Sequence, residues 1–138
     1  MIRWITVGAL AALAAGCGGS TASKGTYTLA LTNFSFHEGQ KVELHVKASP
    51  AATDFLGAEA YGNVTNGQLT LTVANVLEAG KTYTVDFYAD VNGNGSYDAP
   101  VNGQFLDHSW RRTVQGNPAG VNETFAHDDN WTDISPFS

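Results

Sequence analysis

The segment Lys41-Val42-Glu43-Leu44-His45-Val46-Lys47 alternates apolar and polar side chains without a break. A period of two marks a strand with one face on a core and the other in water, because successive side chains leave a pleated backbone on opposite sides. Tyr27, Leu29 and Leu31 repeat the pattern against Thr26, Thr28 and Ala30. Leu69, Leu71 and Val73 do so against Thr70 and Thr72, and Tyr83, Val85 and Phe87 against Thr84, Asp86 and Tyr88. Phe105 to Val114 and Glu123 to His127 read as less regular strands. At Thr32-Asn33 the phase slips, and Phe34 and Phe36 carry it on, which predicts a bulge in a continuing strand. Asp54 to Tyr61 fits either one helical turn or a short edge strand. Turn formers separate the runs at Glu38-Gly39, Ser49-Pro50, Asn66-Gly67, Ala79-Gly80 and Asn117-Pro118.

Six or seven short strands in about 110 residues predict an all-β fold. The expected architecture is a single antiparallel two-sheet sandwich of immunoglobulin or transthyretin type over residues 26–138. A chain of 138 residues suits one such domain, and 43% hydrophobic against 14% charged residues suits a packed core. Thirteen acidic against seven basic side chains give a net charge of −6. No cluster of Lys and Arg is present to neutralise phosphates, so a nucleic-acid partner is not expected. The acidity is uneven: residues 86–138 hold eight acids and only two arginines.

The N-terminus differs in kind. Arg3 is followed by an apolar and small-residue run from Ile5 to Ala15, broken only by Thr6. As a helix this run measures about 16 Å, short of the ~30 Å hydrocarbon core, and so fits a cleaved secretory signal better than a span. It ends in Leu13-Ala14-Ala15-Gly16-Cys17, which resembles the lipobox of bacterial lipoprotein signal peptides, with Ala14 where that family usually has Leu. The resemblance implies a signal peptide at 1–16, lipidation of Cys17 and a flexible tether at 17–25 that holds the domain at a membrane. Gly18 in place of an Asp after the cysteine implies an outer-membrane or cell-surface destination. Cys17 is the only cysteine, which excludes an intramolecular disulfide and a multi-cysteine metal cage.

Three groups of residues suggest chemistry. In Asp90-Val91-Asn92-Gly93-Asn94-Gly95-Ser96-Tyr97-Asp98, oxygen side chains fall at positions 1, 3, 5 and 9, with Gly at position 6. That is the spacing of a calcium loop, with Ser96 lending its backbone carbonyl. Position 12 is Val101 rather than Glu, so Asp107 is the candidate for the missing carboxylate and Asp86 the alternative. An Asn-Gly-rich connection that holds no ion is the plainer account of the same residues. His37, His108 and His127 each have a carboxylate nearby in sequence, a donor set that suits copper or zinc. Their spacing matches no local metal motif, so they act together only if the fold brings them together; otherwise they are separate hydrogen-bonding groups. His45, among Lys41, Glu43 and Lys47, is expected to be solvated. Trp110 and Trp131 could stack on sugar rings as in a carbohydrate-binding module, or simply pack.

Enzymatic readings find little support. There is no Gly-x-Ser-x-Gly elbow and no Gly-rich phosphate loop between a strand and a helix. Phe34-x-x-His37-x-Gly39-Gln40, the segment Val85 to Pro100, Asp107-His108-x-Trp110-Arg111, Phe125-x-His127 and Thr132-Asp133-Ile134 together resemble a pattern of bacterial surface and lipoprotein β-sandwich domains. The resemblance implies the fold and an extracytoplasmic setting, and it places the three histidines inside shared motifs. The leading expectation is a lipid-anchored, calcium-stabilised binding or structural module with no enzymatic activity. A copper- or zinc-binding protein is the alternative, and a glycan binder the third.

Overall fold

The computed structural model describes residues 23–48 and 58–137. The signal segment, Cys17, the turn at Ser49-Pro50 and the first part of Asp54–Tyr61 lie outside the described residues. The described chain forms seven strands: β1 (Gly25–Thr32), β2 (Lys41–Ala48), β3 (Glu59–Asn63), β4 (Leu69–Leu77), β5 (Thr82–Ala89), β6 (His108–Gln115) and β7 (Val121–Ala126). They make two sheets, β4-β1-β7 and β3-β2-β5-β6, so the fold is an all-β sandwich as the alternation requires. Among the described residues no helix is long and apolar enough to cross a membrane.

The alternating apolar positions all point between the sheets. Tyr27, Leu29 and Leu31 of β1 and Leu71 and Val73 of β4 meet Val42, Leu44 and Val46 of β2, Val85 and Phe87 of β5, and Trp110 and Val114 of β6. These side chains are buried, and their removal from water supplies the main driving force for closing the two layers. Segment 54–61 resolves in its described part as edge strand β3, which pairs only with β2.

Two features depart from the expected pattern. Phe34 and Phe36 do not continue a bulged strand. Asn33 takes a left-handed conformation (φ 61°), which ends β1, and Ser35–His37 form a single 3₁₀ turn. Three residues per turn replace the two-residue period, so Phe34 turns into the core while Phe36 stands 87% exposed. Secondly, β7 pairs with β1 in parallel, Tyr27 opposite Val121 through Thr32 opposite Ala126, while the other strand pairs are antiparallel. Parallel pairing brings the C-terminal ends of β1 and β7 to the same end of the sandwich. β6 begins at that end too, since it runs antiparallel to β5 from Ala89 opposite His108.

Candidate metal centre

The turn that carries His37 is held from outside. Phe34 N–H donates to the Gly67 carbonyl (2.9 Å) and Gly39 N–H to the Val64 carbonyl (3.0 Å). In return the Glu38 carboxylate accepts from the backbone N–H groups of Asn66 (2.9 Å) and Gly67 (2.8 Å). Asn66 and Gly67 both have positive φ (53° and 68°), the geometry of a tight hairpin tip, and a Cβ at Gly67 would lie 2.6 Å from Ser35 Oγ. The positive φ and this close approach favour glycine at the tip, which braces the 3₁₀ turn that carries His37.

His108 is the first residue of β6 and His127 the first beyond β7. The His127 N–H donates to the Thr32 carbonyl (2.9 Å), extending the parallel ladder by one rung. The segment after it is tied to β6: Trp110 Nε1–H reaches the Asp128 carbonyl and carboxylate (3.2 Å each), and Thr132 N–H donates to the Ser109 carbonyl (2.8 Å).

The fold brings the three histidines together. His37 Nε2 lies 3.1 Å from His127 Nε2 and 3.3 Å from His108 Nδ1, and one ring nitrogen from each of the three lies within 4.8 Å of the others. Imidazole nitrogens about 2.0–2.1 Å from a tetrahedral ion sit about 3.3–3.4 Å apart, which the 3.3 Å spacing matches, while the 3.1 Å spacing is a hydrogen-bond distance slightly inside it. The tautomer of His37 points the same way. Its Nδ1 is 2.7 Å from Gln40 Oε1, an acceptor, so Nδ1 carries the proton and Nε2 presents a lone pair to the cluster. That one lone pair faces two ring nitrogens. An outer partner that fixes the far nitrogen of a histidine is the usual way of orienting a metal ligand.

Aromatic rings enclose the group. Phe34 packs edge-on to His127 (5.2 Å between centroids), Trp110 to His37 (6.0 Å), and Trp131 stacks on His108 at 3.8 Å. Burial in this shell lowers the pKa of His37, against the Gln40 hydrogen bond, and lowers that of His108 to about 4, with the neighbouring His37 and His127 adding to the shift. Both imidazoles are thus neutral at pH 7, the form that binds metals.

The loop Asp90–Asp98 is organised by its own donors. Asp90 Oδ1 accepts from the N–H groups of Gly93 (2.7 Å) and Asn94 (3.1 Å), and its Oδ2 from Gly95 (2.8 Å). Asp98 Oδ2 accepts from the side-chain amides of Asn92 (2.6 Å) and Asn94 (2.7 Å), whose own oxygens are bound to the N–H groups of Asn94 and Ser96. Asp107, fully buried, accepts from Val91 N–H (2.9 Å) and Asp98 N–H (2.8 Å), clamping both ends of the loop. The six residues expected to hold calcium are therefore neighbours, but their carboxylates meet N–H groups, and the Asn amides turn nitrogen toward Asp98. Asp86 lies elsewhere, buried in a two-point ion pair with Arg111 (2.7 and 2.9 Å).

Two expectations are corrected. His45 is buried rather than solvated, stacked against Phe137 at 3.8 Å, with Nε2 2.9 Å from Glu43 Oε1. With Glu43 and Glu59 it forms the second group among the described residues whose ligand atoms converge within 4.8 Å. Sequence gave no sign of this, because Glu59 comes from the edge strand and Phe137 from the C-terminal segment. Trp110 is a core residue and presents no open face for a sugar, while Trp131 is half-buried with one face stacked on His108. Comparison with family models, curated proteins and solved structures gives no match for the chain.

Proposed function

We propose that this protein is a transition-metal-binding module of the bacterial cell envelope, holding one copper or zinc ion at His37, His108 and His127. The observation that carries the reading is the convergence of three imidazole nitrogens on one point, with His37 oriented by Gln40 from behind. An ion there joins the turn after β1, the start of β6 and the exit of β7, and so links the two sheets. Closing loops of 71 and 90 residues in this way constrains the unfolded chain as well as binding the folded one. The envelope setting rests on sequence resemblance, above all that of the segment ending in Cys17, which would hold the module at a membrane by acyl chains.

The test is metal analysis of the chain after equilibration with equimolar copper and zinc and removal of the excess. One ion per chain in the parent and none in His127→Gln is the expected result. Equal metal content in the two proteins would overturn the assignment.

A further inference from the structure

Resting on that reading, we infer that the triad is built for copper in the cuprous state: the chain binds Cu(I) more tightly than either Cu(II) or Zn(II). The argument is one of charge and ligand count. The converging ligand atoms come from three imidazoles and no carboxylate, and the one acidic group that acts on His108, Asp129, is not among them, so the ligands themselves do not offset the charge of an ion. His37 is almost fully buried and His108 and His127 are half-buried, and Phe34, Trp110 and Trp131 pack against the three rings. The cost of bringing an ion out of water rises with the square of its charge, so a divalent ion is about four times as expensive as a monovalent one.

A zinc ion in a three-histidine site completes its tetrahedron with water or hydroxide, and Cu(II) prefers a tetragonal set of four or more N and O donors. Cu(I), a closed-shell d10 ion, accepts three neutral nitrogens as a complete set. The Glu43–His45–Glu59 group offers the opposite chemistry, two carboxylates and one imidazole, and therefore serves as an internal reference for divalent ions.

The experiment uses the full chain carrying Cys17→Ser, so that the lone thiol cannot bind copper. Affinities for Cu(I) under anaerobic reductant, for Cu(II) and for Zn(II) are measured by competition with chelators of known strength. Each is repeated in His127→Gln and in His45→Gln. Removing a ligand costs at least what removing an outer partner does, so His127→Gln should weaken Cu(I) binding by about a hundredfold or more. His45→Gln should leave it unchanged. Zn(II) or Cu(II) bound at the triad as tightly as Cu(I) overturns the cuprous preference and leaves the metal centre standing. Cu(I) binding that His127→Gln does not alter overturns both.

Discussion

His37 Nε2 and His127 Nε2 lie 3.1 Å apart, although ninety residues separate them in the chain. With His37 protonated on Nδ1, one lone pair is shared between His127 and His108, and a bound cation would replace that sharing with a bond to each ring. Binding to the folded form alone should therefore stabilise the protein. At about a hundred times Kd the gain is about 2.7 kcal/mol, or roughly 10 °C in Tm for a domain of this size. Calorimetry with and without copper should show the rise in the parent and not in His127→Gln.

Gln40 holds the tautomer of His37 from outside the group. Gln40→Ala should weaken metal binding by about 10–100-fold, the usual effect of losing an outer partner, with little change in the Tm of the metal-free chain. Gln40→Glu, which keeps an acceptor at the same place, should restore the affinity. Chelator competition on the three proteins checks this; equal affinities would mean that Gln40 plays no part in orienting the ligand.

Acid should destabilise the metal-free protein. His37, His45 and His108 all have pKa values lowered in the fold, chiefly by burial, His108 to about 4 against 6.5 for the free side chain. As pH falls below about 6.5 the unfolded imidazoles take up protons that the folded ones refuse, so stability is full above that pH and drops toward about pH 4. Urea unfolding between pH 7 and 4.5 should show the decline. His108→Gln, having one such group fewer, should show a shallower slope.

Asp107 clamps the loop by accepting from Val91 and Asp98 while fully buried. Asp107→Asn turns an amide N–H toward a backbone N–H and should cost about 1–3 kcal/mol. Carboxylates that accept these N–H groups keep further lone pairs for a cation, so Tm is also compared with and without millimolar calcium, a rise under about 2 °C meaning that the loop holds no ion. A larger calcium-dependent rise that Asp90→Asn abolishes would establish an ion in the loop.

Asp86 is buried against Arg111, with Lys47 Nζ 3.9 Å away. Arg111→Met strands most of a buried carboxylate's partners. Breaking a fully buried pair costs about 3–5 kcal/mol, and the partial exposure of the Arg111 side chain reduces this to roughly 2–3 kcal/mol. Chemical denaturation of the variant gives the figure directly, and a loss under about 0.5 kcal/mol would mean that solvent screens the pair.

The sandwich itself was legible. Val42, Leu44 and Val46, or Tyr83, Val85 and Phe87, mark their strands because a period of two is a property of the backbone next to each residue, and it needs no knowledge of the partner strand. The turn after β1 was misread for the same local reason: Phe34 and Phe36 keep the period, while Asn33 breaks the backbone path in a way that side-chain pattern does not record. The loop Asp90–Asp98 was recognised as a unit from its spacing, but which atoms face inward depends on hydrogen bonds made within the folded loop and to Asp107.

The sequence by itself determined an all-β chain, the positions of β1, β2, β4 and β5, and the identity of three histidines worth watching. Whether those histidines meet was a matter for the tertiary structure alone. The parallel pairing of β1 with β7 puts His37 and His127 at one end of the sandwich, and the β5–β6 register delivers His108 to the same place. Strand pairing is chosen by burial and by hydrogen bonding between distant segments, so no local period encodes it. A centre assembled from residues 37, 108 and 127 therefore exists only once the two sheets have closed.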